Sequence, residues 1–107
     1  MIRVTYEPRE HRLRVKGHAL AAPAGEDLVC AAASALAWTL VRAATKRSEY
    51  RPRLFIDRER AVIDVQCFPD KSAERDCRYL FEIIAGGLAV IEKNNPENIR
   101  IGDNDGN

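Results

Sequence analysis

Residues 17–36 read GHALAAPAGEDLVCAAASAL, and this stretch decides how the chain is organised. Before it, side chains alternate in polarity. After it, from Leu28 to about Ala44, there is neither Pro nor Gly, and the strong helix formers Ala and Leu dominate. The stretch is therefore the joint at which strand gives way to helix. Gly25-Glu26-Asp27 precedes the apolar run, and Asp27 suits an N-cap because its carboxylate can accept from unpaired first-turn N–H groups. With that start Cys30 is the third helical residue. A thiol there sits at the positive end of the helix dipole, which favours the thiolate, and free first-turn amides could stabilise an oxyanion. A charged Asp27 opposes this, unless it caps the helix or orients an imidazole. His18, at the end of the preceding strand, is the candidate imidazole, able to take the thiol proton. The blander alternatives are an inert buried cysteine, a structural histidine and a loop over 19–26 that only connects instead of closing over a substrate.

Upstream of this joint, Ile2, Val4 and Tyr6 alternate with Arg3, Thr5 and Glu7, then Pro8 to His11 turn, and Leu13 and Val15 alternate with Arg12, Arg14 and Lys16. This predicts a hairpin with one buried face and one solvated face. His11, in the turn, is expected to be exposed and without a role. On the helix, Val29, Ala32, Ala33, Leu36, Leu40 and Ala43/Ala44 form the expected apolar face. Cys30 and Ser34 lie one turn apart on its flank, so Ser34 either bonds back to the helix or supports Cys30 from one turn below. So few charges precede Arg42 that cover on more than one side is expected, with Trp38 in the core or at a dimer contact.

A polar linker, 45–52, leads to a second hairpin: Leu54 to Ile56, then Ala61 to Phe68. Ala61, Ile63, Val65 and Cys67 share its core face, and Val62, Asp64, Gln66 and Phe68 the other. Asp70 or Ser72 is the cap candidate for a second helix, whose apolar stripe is Ala73, Cys77, Leu80, Ile84, Leu88 and Ile91. Gly86-Gly87 inside it costs about 1 kcal/mol per Gly relative to Ala, which a close approach to the first helix or to a partner would explain. Asn94-Asn95-Pro96 stops the helix, Ile99-Arg100-Ile101 is a candidate short last strand, and residues 102–107 look frayed. The order β-β-α-β-β-α gives an α+β class: two layers, a mainly antiparallel sheet of two hairpins with two helices packed on it.

GHA followed by GEDLVCAAASAL resembles the signature of the ribosomal-processing cysteine protease family, Prp. Gly17, His18, Ala19, Asp27, Val29, Cys30, Ala31, Ala32, Ser34, Ala35 and Leu36 fall on the family pattern, and Gly86-Gly87-Leu88 with Pro96 is also similar. The Ala- and Pro-rich loop Leu20 to Ala24 departs from it. The resemblance spans nearly the whole chain. It implies a bacterial cysteine endopeptidase with Cys30 as nucleophile and His18 as base, and Gly17, Asp27 and Ser34 in support. The implied substrate is the N-terminal extension of a large-subunit ribosomal protein, the twenty-seventh. No cofactor or metal is implied. The alternative is a non-enzymatic ribosome- or RNA-associated module.

The bulk numbers fit one domain over residues 1–107, at 12.0 kDa and 46% hydrophobic residues. A domain this small is sensitive to exposed apolar faces, so a homodimer is expected. No secretory signal is read, and no apolar run is read as approaching the roughly 20 residues of a membrane span. Three cysteines without a CxxC argue against a disulfide framework or a zinc site and fit a reducing cytoplasm. Residues 1–60 carry 12 Lys and Arg against 7 Asp and Glu, whereas 61–107 carry 5 against 9. The basic half could meet RNA and the acidic half a basic peptide. Aromatics are only 7% and form no RNA-binding pattern, so no direct nucleic-acid contact is expected. No phosphate-binding glycine loop follows a strand.

Overall fold

The structure is a computed structural model. It describes residues 1–17 and 24–102, the side chains of 24–27 excepted. The expected α+β class is what it shows. Strands β1 (Ile2–Glu7), β2 (Arg12–Lys16), β3 (Pro52–Asp57), β4 (Val62–Cys67) and β5 (Ile99–Gly102) form one sheet in the order β3-β4-β2-β1-β5. Helices α1 (Ala24–Thr45) and α2 (Glu74–Asn94) pack on one face of it. All neighbours are antiparallel except β5, which runs parallel to β1.

Period-two alternation sends Ile2, Val4, Leu13, Val15, Val65 and Cys67 inward. They meet Val29, Ala33, Ala37, Leu40 and Ala44 of α1, and Cys77, Phe81, Ile84 and Leu88 of α2. Each large side chain so buried contributes about 1.5–3 kcal/mol. Small residues dominate the inner face of α1, which lets the helix lie close to the sheet. On α2, Phe81 and Ala85 join the inner stripe, while Leu80 and Ile91 are only partly covered.

Helix α1 begins at Ala24, not Leu28, so Asp27 is its fourth residue and not the residue before it. Ala24 is a strong helix former, and acidic Glu26 and Asp27 suit a first turn, which offsets the cost of Gly25. Ala32 is exposed, and α1 is covered on one side only, along the Val29-Ala33-Ala37-Leu40-Ala44 stripe. The window Leu28–Thr45 has a mean hydropathy of 1.5, so α1 is long and apolar enough to cross a membrane, contrary to the reading above. Only 28% of that window is buried, along the stripe that meets the sheet.

His11 is not an exposed bystander. It takes a left-handed φ of 50°, its Nε2 lies 3.0 Å from Glu74 Oε2, and its carbonyl accepts from the Cys67 N–H. The turn is thereby tied to α2. Asp64, assigned to the solvated face, is buried and takes two bonds from Arg12, at 3.0 and 2.7 Å. Val62, placed on that same face, is buried as well. A 3-10 turn, Lys71–Ala73, precedes α2, and neither its N-cap residue Asp70 nor the α2 N-cap Ala73 makes a side-chain cap bond. Asp70 instead accepts from Arg51 Nε at 2.7 Å.

Candidate active site

Strand β2 ends at Lys16, and Gly17 turns the chain away from the sheet. Its N–H donates to the Ala61 carbonyl at 2.9 Å, on the neighbouring hairpin. Its φ is +103°, and a Cβ there would stand 2.6 Å from the Met1 carbonyl oxygen. Both facts demand glycine: L side chains rarely adopt that φ, and backbone occupies the space. The requirement falls on the residue that precedes His18. His18 itself, the loop through Pro23 and the side chain of Asp27 lie outside the described residues, as does the end of the chain after Gly102.

On α1, Cys30 is half-buried and packs against the edge of the core. Its place is the seventh residue of the helix, nearly two turns in. In an α-helix the N–H groups without intrahelical partners belong to the first four residues, here 24–27. The expected first-turn seat for Cys30, and the free amides beside it, are therefore not found. Ser34, one turn further on, is exposed.

Gly17 and Ser34 line the same cavity, about 200 Å³ in volume, between α1 and the β3–β4 hairpin. Its other walls are mostly apolar: Val15, Ala37, Ile56, Ala61, Val62 and Ile63. Trp38 is there too, 37% exposed, with the Arg58 guanidinium 5.0 Å from its ring centroid. This overturns the core alternative for Trp38 and leaves the dimer contact as it was, and its place on the cavity wall was not expected from the sequence. The signal lay in spacing, since Ser34 and Trp38 are four apart on one helix flank. The fold thus brings Gly17, which leads to His18, and Ser34, one helix turn on from Cys30, to one concave surface, while Cys30 itself is not among the residues that line it.

The remaining thiols differ. Cys67 and Cys77 are buried in the core and hydrogen-bond each other. Burial, with Cys77 beside it, pushes the Cys67 thiol up to about 12, and burial raises Cys77 too. Neither is suited to nucleophilic work at neutral pH. Of the three cysteines, Cys30 alone is not fully buried, and none is in a disulfide. Among the described residues no group of three His, Cys, Asp or Glu side chains is placed to hold a metal ion.

No curated protein sequence matches this chain. Its fold is similar to that of the essential ribosomal processing protease Prp from S. aureus in complex with a covalently linked product peptide: TM-score 0.78, 24% identity, 97% of this chain and 100% of that one covered. The same protease in complex with a substrate peptide gives a TM-score of 0.77 at 22% identity, covering 96% of this chain and 97% of that one. SMU.848 from Streptococcus mutans gives 0.78 at 24%, with 96% of each chain covered. At such identities the likeness establishes fold. Membership rests on sequence, for residues 1–100 match the family described as cysteine protease Prp, and this chain belongs to that family.

Proposed function

We propose that this chain is a cysteine endopeptidase of ribosome biogenesis that uses a Cys30–His18 dyad. The observation that carries the reading is the shared cavity of Gly17 and Ser34, the neighbours of His18 and Cys30 in chain and in helix turn. His18 takes the Cys30 proton, and the thiolate attacks the scissile carbonyl. The proton passes to the leaving amine as the C–N bond breaks, and water then hydrolyses the thioester. Asp27 orients His18, and Ser34 supports the site from one turn below Cys30. The unpaired first-turn amides of α1 are not the oxyanion donors, since Cys30 stands nearly two turns into the helix.

The S. aureus relative, solved with a substrate peptide, supports a peptide substrate here. We assign it as the N-terminal extension of the twenty-seventh large-subunit ribosomal protein, cleaved in the cytoplasm. The working form is a homodimer. Leu28, Ile83 and Val90, 73%, 63% and 60% exposed on the outer sides of α1 and α2, support that a second copy covers these helices. The test is incubation with a peptide spanning the extension, read by mass spectrometry. Wild-type protein should cut it once. Cys30→Ala and His18→Ala should each be inactive with unchanged circular dichroism. Full activity in Cys30→Ala would remove the assignment.

A further inference from the structure

The face of the sheet turned away from the helices carries a second surface. Alternation along the strands points Arg3, Arg12, Arg14, Lys16, Arg53 and Arg100 outward, opposite to the buried Ile2, Val4, Leu13, Val15, Val65 and Ile99. The register aligns them across strands. Arg3 of β1 stands directly opposite Lys16 of β2 on one side and Arg100 of β5 on the other. Like charges directly opposite in a sheet are destabilising. Here three cations form a row across three strands, and none has a carboxylate partner within 4.0 Å among the described residues. The carboxylates on this face are engaged elsewhere: Asp64 with Arg12, Glu7 with Arg12, and Asp57 with Arg60.

Two grooves cross this surface and meet at Arg14. One, of about 280 Å³, is lined by Arg3, Thr5, Arg14, Lys16 and Gly17. The other, of about 410 Å³, is lined by Arg14, Arg53, Phe55 and Gln66 with the Arg12–Asp64 pair. The buried Arg14 Nε–H has no acceptor among the described residues.

We propose that this sheet face docks the backbone of RNA. Charge complementarity favours it: a polyanion relieves the row of Lys16, Arg3 and Arg100, which have no carboxylate partners among the described residues. The side-chain mix selects RNA over an acidic peptide. Arg12 is held by Asp64, and four of the other five cations, Arg3, Arg14, Arg53 and Arg100, are arginines, whose planar forks suit phosphate. Thr5 and Gln66 add polar groups for sugar and phosphate oxygens. Phe55, 55% exposed, offers a ring face on which a base can stack, which an acidic peptide would leave unused. One aromatic cannot read a sequence, so binding is to backbone and is sequence-independent. The composition hid this surface: the chain's net charge is only +1, and the cations gather only when the strands pair. Gly17 lines the first groove and the active-site cavity alike, so bound RNA would lie beside the site without entering the chemistry.

The test is fluorescence anisotropy of the full chain with a labelled oligouridine of roughly 16 nucleotides. Binding is expected at about 50 mM salt, with log K falling against log salt at a slope of about −3 if four cations meet phosphates on a single strand. Arg3→Glu with Arg100→Glu, both at exposed positions, should weaken binding at least about tenfold, a loss of ~1.4 kcal/mol. Arg75→Glu, on α2, should leave it unchanged, and circular dichroism checks the fold of each variant. Phe55→Ala should weaken binding several-fold. The proposal is overturned by no binding at low salt, by equal binding in the Arg3/Arg100 variant, or by a polyglutamate peptide that binds as tightly as the RNA.

Discussion

Gly87 of α2 sits directly under Leu36 of α1: a methyl on Gly87 would stand 3.0 Å from Leu36 Cδ1 and 3.3 Å from Cδ2. Its neighbour Gly86 has nothing within 4 Å of the same position. Adjacent glycines in one helix therefore differ in kind. Gly86→Ala should stabilise the isolated chain by about 1 kcal/mol, through helix propensity and a less free unfolded chain. Gly87→Ala forces Leu36 to shift and should forfeit that gain. Urea denaturation at low protein concentration should rank Gly86→Ala above Gly87→Ala.

Gly17→Ala should be costly for both stability and processing. It places a Cβ at a φ of +103° and 2.6 Å from the Met1 carbonyl oxygen. Positive-φ strain and displaced backbone together should cost about 1–3 kcal/mol. Since Gly17 leads into His18, peptide cleavage should fall even at temperatures where circular dichroism shows the chain folded. Wild-type cleavage by a folded Gly17→Ala protein would break the link between this turn and the site.

Tyr6 offers the opposite sign. Its hydroxyl is buried and has no partner among the described residues, and burial, with Glu82 nearby, raises its pKa. An unpaired buried hydroxyl costs about 1–3 kcal/mol in desolvation. Tyr6→Phe keeps the ring and removes that cost, so thermal unfolding should move upward. A lower Tm would mean that the hydroxyl has an acceptor after all.

The buried thiols make stability depend on alkaline pH. The Cys67 value is raised from 9.0 to about 12 in the folded protein. Its contribution is then fully present below pH 9 and is lost as pH rises towards 12, because the unfolded chain gives up the proton first. The slope should approach ~1.4 kcal/mol per pH unit, and Cys67→Ala should flatten it. In the same vein, iodoacetamide at pH 8 should add one group to the folded chain, on Cys30, and three in urea.

The fold was legible wherever polarity kept a clear period. Ile2 to Tyr6 and Leu13 to Val15 announced strands, and the Ala/Leu run announced α1. What stayed hidden were the features set by tertiary partners. The start of α1 was obscured because Asp27 is a good cap in isolation, whereas Ala24 extends the helix past it. The burial of Asp64 depends on Arg12, far away in sequence, and the role of His11 depends on Glu74. At the candidate site, the helix pattern pointed to Cys30 and the family resemblance to Gly17, whose positive φ is a backbone property that the sequence alone does not display. The place of Trp38 beside Arg58 could not be read before β3 and β4 were set against α1.

The parallel seam between β1 and β5 has a consequence for biosynthesis. As the chain leaves the ribosome, the first hairpin can close early, yet the outer edge of β1 has no neighbour until residues 99–102 arrive. For that interval it presents unsatisfied backbone groups, the kind that recruit strands from other molecules. Variants truncated before Ile99 should therefore aggregate, and chaperones that act on nascent chains should matter most to this protein during its own synthesis.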